Sequence, residues 1–173
     1  MNNKVVFFDL GDTLIYRTIS LQEFDFSLLS KYISNKSSNE LINILDEANK
    51  TFPEINSHRF FSEGFKSFEI EYQRQVSYYL YLCKKLNIEV NPETLADQRF
   101  SNSPYQLFVG AISLLDQLQS KNIKIGIMTN GRPSRRKVLE QLGILHYFSP
   151  ELIFISNEIG FAKPNIGFYD FVN

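Results

Sequence analysis

Val5-Val6-Phe7-Phe8-Asp9-Leu10-Gly11-Asp12-Thr13-Leu14 is the stretch on which the reading of this chain turns. Val5 to Phe8 are apolar and β-branched or aromatic, which reads as a buried strand ending at Asp9. Gly11 and Asp12 then supply turn chemistry. Ligand sites of open parallel sheets lie at the carboxyl ends of strands, where loops diverge. An aspartate there can act as a nucleophile toward phosphorus or carbon, forming an aspartyl intermediate. In isolation the same pattern is more often just an Asp in a glycine turn that leaves a strand.

Two further stretches have the character of the first. Ile123 to Met128 reads as a strand ending at Thr129, and Leu152 to Ile155 as one ending at Ser156. Continuous apolar runs of this kind suit a parallel sheet covered on both faces. An amphipathic stripe through Ile112, Leu114, Leu115 and Leu118 predicts a helix before the second strand. Ser134 to Leu142, with Pro133 at its start and Gly143 past its end, predicts another between strands two and three. From Leu21 to Asp97 no strand pattern occurs. Phe61, Phe65, Phe68, Tyr72, Val76, Tyr79, Cys83 and Leu86 instead recur at steps of three and four, one face of a long helix. The expected organisation is an α/β, Rossmann-like parallel core from 1–15 and 105–173, interrupted by an all-helical insert over 16–104.

The totals narrow the function classes. Eighteen basic residues against nineteen acidic ones give a formal charge of -1, which argues against a nucleic-acid surface. The longest apolar run, Tyr78 to Cys83, is far too short to cross a membrane. Cys83 is the only cysteine, so no internal disulfide can form. With the first strand beginning almost at Met1 there is no space for a signal peptide, and a cytoplasmic location is expected. No residue pattern sets an oligomeric state.

The residues after strands two and three strengthen the case for Asp9. Thr129 is followed by Asn130-Gly131, and a hydroxyl with the N–H groups of a glycine turn makes an anion cradle. Lys163, in Gly160-Phe161-Ala162-Lys163-Pro164, offers a point charge to a phosphate or carboxylate. Each alone could be a turn residue or a surface charge. Their placement after three successive strands is the signal.

The order Asp9-x-x-x-Thr13, apolar strand to Thr129-Asn130-Gly131, then Gly160-x-x-Lys163-Pro164 resembles motifs one to three of the haloacid dehalogenase (HAD) superfamily. The helical insert is similar to that family's first cap type. The resemblance implies Asp9 as nucleophile, with Thr129 binding the transferred group and Thr13, Asn130 and Gly131 beside it. Lys163 would hold the negative charge of Asp9 and substrate together. It also implies Mg²⁺ on the Asp9 carboxylate and the Gly11 carbonyl, and a small anionic substrate. Arg17, in the loop entering the insert, is a further candidate for pairing with that substrate.

Two departures qualify the resemblance. Family phosphatases carry a second Asp two residues after the nucleophile, as acid for the leaving group and base for water. Gly11 occupies that place, and it has no proton to give. Asp12, one residue later, is the possible surrogate, or simply a solvent-facing turn residue. Secondly, a fourth, acidic motif follows motif three by several tens of residues in the family, whereas the sequence stops at Asn173. That predicts an incomplete core, an exposed first strand and a poor Mg²⁺ site. The leading expectation is a Mg²⁺-dependent phosphatase of a small phosphorylated metabolite. The alternatives are a catalytically impaired, truncated relic that binds anions or a partner, and a 2-haloacid dehalogenase, whose halide leaving group needs no proton.

Overall fold

The computed structural model describes residues 4–33, 36–56 and 64–172. They divide into two compact units, one formed by Met1–Thr18, Phe60–Phe68 and Tyr105–Asn173, the other by Ile19–Arg59 and Glu69–Pro104.

The first unit holds the parallel sheet. Strand β1 is Val5–Phe8, and β2, Ile15–Arg17, pairs antiparallel with β3, Tyr105–Leu107. Strand β2 closes the first segment of this unit and β3 opens its last. Strand β4, Lys124–Thr129, lies between β1 and β5, Ile153–Ile155, parallel to both. The parallel three-stranded sheet expected from the apolar runs is therefore present. Its burial is uneven: Ile125, Gly126 and Ile127 of the middle strand are buried, while Val6, Phe7 and Phe8 are half-buried and Val5 is exposed. A strand with one neighbour cannot be covered as a central strand is.

Gly126 stands opposite Phe7 in the β1–β4 register. A Cβ there would come within 2.4 Å of the Phe7 ring and 2.8 Å of the Leu152 carbonyl. Glycine is what allows the ring to lie across the middle strand.

Helix α6, Ala111–Ser120, buries Ala111 and Leu115 against the sheet and half-buries Leu118. Ile112 and Leu114 of the expected stripe remain exposed, because Ala111 rather than Ile112 begins the inward face. Helix α7, Arg135–Gln141, follows β4 and buries Val138 and Leu139; the short α8, Ser156–Ile159, and α9, Ile166–Val172, follow β5.

The second unit is helical: α1 is Leu21–Leu29, α2 Ser38–Thr51, α3 Pro53–Asn56, α4 Phe68–Leu86 with its first residue in the other unit, and α5 Pro92–Ser101. Helices α1 and α2 open with capping boxes, Ser20 with Glu23 and Ser37 with Glu40, each satisfying two backbone donors. The long helix begins at Phe68, later than the aromatic periodicity predicts. Phe65 is buried outside it, and Phe61 falls beyond the described residues. Gly64 and Ser67, poor helix formers that favour turns and helix starts, interrupt the stripe. On α4 itself Glu71 and Gln75 are buried where the stripe places Tyr72 and Val76, which are only half-buried.

The charged centre of this unit is Asp25, fully buried, which accepts from Arg99 at 2.7 Å, Tyr79 at 2.7 Å and Tyr78 at 3.2 Å. A buried carboxylate is tolerable only when paired and hydrogen-bonded in this way. Burial and the Asp25 charge push the Tyr79 phenol well above the ordinary tyrosine value.

Candidate active site

Asp9 sits one residue beyond β1, with its side chain 44% exposed. The loop after it is held by its own backbone: the N–H groups of Leu14 and Ile15 both donate to the Leu10 carbonyl, and that of Asp12 to Ile15. Leu10 and Leu14 anchor this turn in the core. Asp12 adopts the left-handed conformation at φ 56°, which Asp tolerates better than most residues.

The lysine after β5 reaches across to the first strand. Lys163 Nζ lies 3.1 Å from Asp9 Oδ1 and donates to the Met128 carbonyl at 2.6 Å. Its backbone is clasped by Asn130: the Lys163 N–H donates to Asn130 Oδ1 at 2.8 Å, and Asn130 Nδ2 donates to the Lys163 carbonyl at 3.0 Å. The loops following β4 and β5 are thus joined by a pair of hydrogen bonds that resembles a rung of sheet. The sequence places Asn130 at the substrate; the structure engages its amide on Lys163, where it positions the ammonium.

Gly131 departs from expectation in a similar way. Its N–H donates to Ser156 Oγ at 3.0 Å, and its carbonyl accepts from Asn157 N–H at 3.2 Å and from Ser156 Oγ at 3.3 Å. That N–H is committed inside the protein and is not presented to an anion. Ser156, buried at the end of the third parallel strand, locks the turn. Its position at a strand end was visible in sequence, but nothing there marks a hydroxyl that ties two loops.

Thr129 is 2% exposed at the end of β4, and among the described residues its hydroxyl makes no hydrogen bond to protein. Thr13 and Asp12 are exposed, and neither side chain makes a hydrogen bond or ion pair among the described residues. The structure therefore brings together Asp9, Lys163 and the Thr129-Asn130-Gly131 turn, but shows no contact that ties Asp12 or Thr13 to them. Arg17, on β2, donates from Nη2 and Nε to the Tyr105 hydroxyl at 3.0 and 3.3 Å.

A sequence profile for hydrolases of the haloacid dehalogenase-like type matches residues 3–171. The chain belongs to that family. Among individual relatives of this HAD-like hydrolase, it is 39% identical over 93 residues to pyrimidine 5'-nucleotidase YjjG of Escherichia coli; that match takes in 51% of this chain and only 39% of the nucleotidase. It is 27% identical over 173 positions to glyceraldehyde 3-phosphate phosphatase of Methanothermobacter thermautotrophicus, across 96% of this chain and 69% of the relative. Among solved structures, YfnB of Bacillus subtilis, described as a HAD-hydrolase and bound to magnesium, superposes with a TM-score of 0.53 at 20% identity, over 99% of this chain and 73% of that one. A HAD phosphatase from Thermococcus onnurineus gives 0.51 at 22% identity, over 98% and 69%. At these identities the structural likeness is one of fold.

The Asp9 carboxylate and the Gly11 carbonyl are hard oxygen donors of the kind Mg²⁺ takes. Among the described residues no group of three or more His, Cys, Asp or Glu could hold a metal ion. Magnesium keeps several waters and often binds through one or two carboxylates plus substrate phosphate, so these two donors fit part of its shell. No described helix is long and apolar enough to cross a membrane.

Proposed function

We propose that this HAD-like hydrolase is a phosphatase of a small phosphorylated metabolite, with Asp9 as its nucleophile. The observation that carries the reading is the 3.1 Å approach of Lys163 to Asp9 at the carboxyl ends of two parallel strands, beside Thr129. Both curated relatives are phosphate-ester hydrolases by name, which supports the same class.

In the proposed reaction one Asp9 oxygen attacks phosphorus, the ester P–O bond breaks and the alcohol oxygen leaves with the bonding pair. Water then attacks the aspartyl phosphate at phosphorus, releasing inorganic phosphate and restoring the carboxylate. Phosphoryl transfer needs positioning and charge neutralisation more than covalent machinery. Lys163 holds Asp9 beside the phosphoryl oxygens and offsets their charge, so the carboxylate can approach a dianion. The Thr129 hydroxyl donates to a phosphoryl oxygen, with the N–H of Asn130 completing what Gly131 does not provide. Bound Mg²⁺, on Asp9 and the Gly11 carbonyl, would supply further neutralisation of the phosphate.

Gly11 gives no proton to the leaving oxygen, and the Asp12 carboxylate is tied to no other site residue. We therefore assign no general acid from these loops. Substrates with acidic leaving groups are the ones this site turns over unaided. The test is release of phosphate from p-nitrophenyl phosphate with and without Mg²⁺. Metal-stimulated release supports the reading; halide release from 2-haloacids without phosphate release would replace it with dehalogenation.

A further inference from the structure

The hydroxyl of Ser156, a residue only 1% exposed at the start of α8, spends its hydrogen bonds on a single glycine. Ser156 Oγ accepts the Gly131 N–H at 3.0 Å and donates to the Gly131 carbonyl at 3.3 Å, where the Asn157 N–H also donates at 3.2 Å. Glycine leaves the backbone freer than any other residue, so a turn built on it keeps one shape only when its peptides are tied.

The element that carries Ser156 is itself fixed to the chain on both sides of that turn. Before it, Thr129 pairs with Ile155 in the sheet. After it, Arg136 of α7 donates to the two Glu158 oxygens at 3.1 and 2.9 Å and to the Ile153 carbonyl at 3.0 Å. Ser156 holds the middle. A peptide unit is planar, so seating the Gly131 N–H on Ser156 also orients the Asn130 carbonyl and narrows the freedom of Asn130. Asn130 clasps the Lys163 backbone, and Lys163 reaches Asp9. One buried hydroxyl therefore stands at the head of a run of contacts that ends on the carboxylate of Asp9.

We propose that Ser156 is a positioning residue of this site: its hydroxyl sets the turn so that the Thr129 hydroxyl and the Asn130 N–H meet the phosphoryl group in its transition-state geometry. The role rests on the phosphatase reading and deepens it. A misplacement of about 1 Å can cost about 10²-fold in rate even when the altered residue lies away from the chemistry. An interaction realised mainly in the transition state lowers kcat when it is lost and leaves substrate binding largely as it was.

The experiment compares the whole chain with its Ser156→Ala and Ser156→Cys variants, on p-nitrophenyl phosphate with Mg²⁺. Inhibition by orthovanadate and by inorganic phosphate is measured alongside. Orthovanadate takes the five-coordinate shape of phosphorus during transfer and reports fit to the transition state, whereas phosphate reports the ground state. Ser156→Ala should lower kcat about 10–10²-fold and weaken orthovanadate by a similar factor, with KM and phosphate inhibition changed by less than about twofold. Cysteine is nearly the same shape but a weaker donor and acceptor, so Ser156→Cys should fall between, and it carries the test if the alanine variant does not fold. Unchanged kcat in a folded variant, or equal loss of orthovanadate and phosphate binding, overturns the positioning role alone. No phosphate release by the unsubstituted chain overturns the phosphatase reading and the positioning role with it.

Discussion

Lys163 and Asn130 grip each other twice, main chain to side-chain amide at 2.8 and 3.0 Å, and the ammonium of the same lysine reaches Asp9. The amide fixes the backbone from which the charge is aimed. An ion pair this exposed contributes little to stability, so its value lies in placement.

Replacing Lys163 by Met should lower kcat by about 10²–10³-fold, as loss of a charge-stabilising donor does, while the melting temperature changes little. Asn130→Ala should lower kcat less and leave the lysine in place but loosely aimed. Steady-state kinetics with a thermal melt of each variant checks both. Equal loss in the two would mean that Asn130 touches substrate itself.

Asp12→Asn should leave kcat/KM for p-nitrophenyl phosphate within about twofold, because a general acid would contribute about 10²–10⁴. The companion measurement is rate against leaving-group acidity across a series of aryl and alkyl phosphates. A steep dependence is expected. A flat one, abolished by the substitution, would make Asp12 the acid after all.

The charged centre of the helical unit should be intolerant of truncation. Asp25→Ala removes the buried carboxylate that accepts from the Arg99 guanidinium and the Tyr78 and Tyr79 hydroxyls, which should cost about 3–5 kcal/mol in urea unfolding. In the other unit, Gly126→Ala forces a methyl against the Leu152 carbonyl, with an expected cost of about 1–3 kcal/mol.

Much of the sheet was legible because apolar runs ending in Asp9, Thr129 and Ser156 are short, continuous and bounded by turn residues. Site geometry was less so. Nothing local tells that Asn130 turns its amide to Lys163, or that Gly131 gives its N–H to Ser156, since both partners lie more than twenty residues away. Aromatic periodicity continues through Gly64 and Ser67 and so predicts an earlier start for α4 than Phe68, although Phe65 is buried outside the helix. There it lies under the Arg132 guanidinium at 5.4 Å, and Phe68 under Lys137 at 4.6 Å.

The capping boxes carry a pH signature. Hydrogen bonds from the backbone of Ser20 and Ser37 hold the Glu23 and Glu40 carboxyls below 4.5. Carboxyls depressed in the folded state stabilise it above their unfolded value, and that contribution is lost as pH falls through the folded one. The melting temperature should therefore drop below about pH 4.5, and Glu40→Gln should make that drop shallower. Parallel melting curves for the two proteins would expose this account as wrong.

The most direct test of the central claim is chemical trapping of the intermediate. The chain would be mixed with p-nitrophenyl phosphate and Mg²⁺, quenched with borohydride and mapped by peptide mass spectrometry. An aspartyl phosphate at Asp9 predicts homoserine at that position alone, with Asp9→Asn showing neither the reduction nor phosphate release. Phosphate release with Asp9 unreduced, or undiminished in Asp9→Asn, would contradict the assignment of Asp9 as nucleophile.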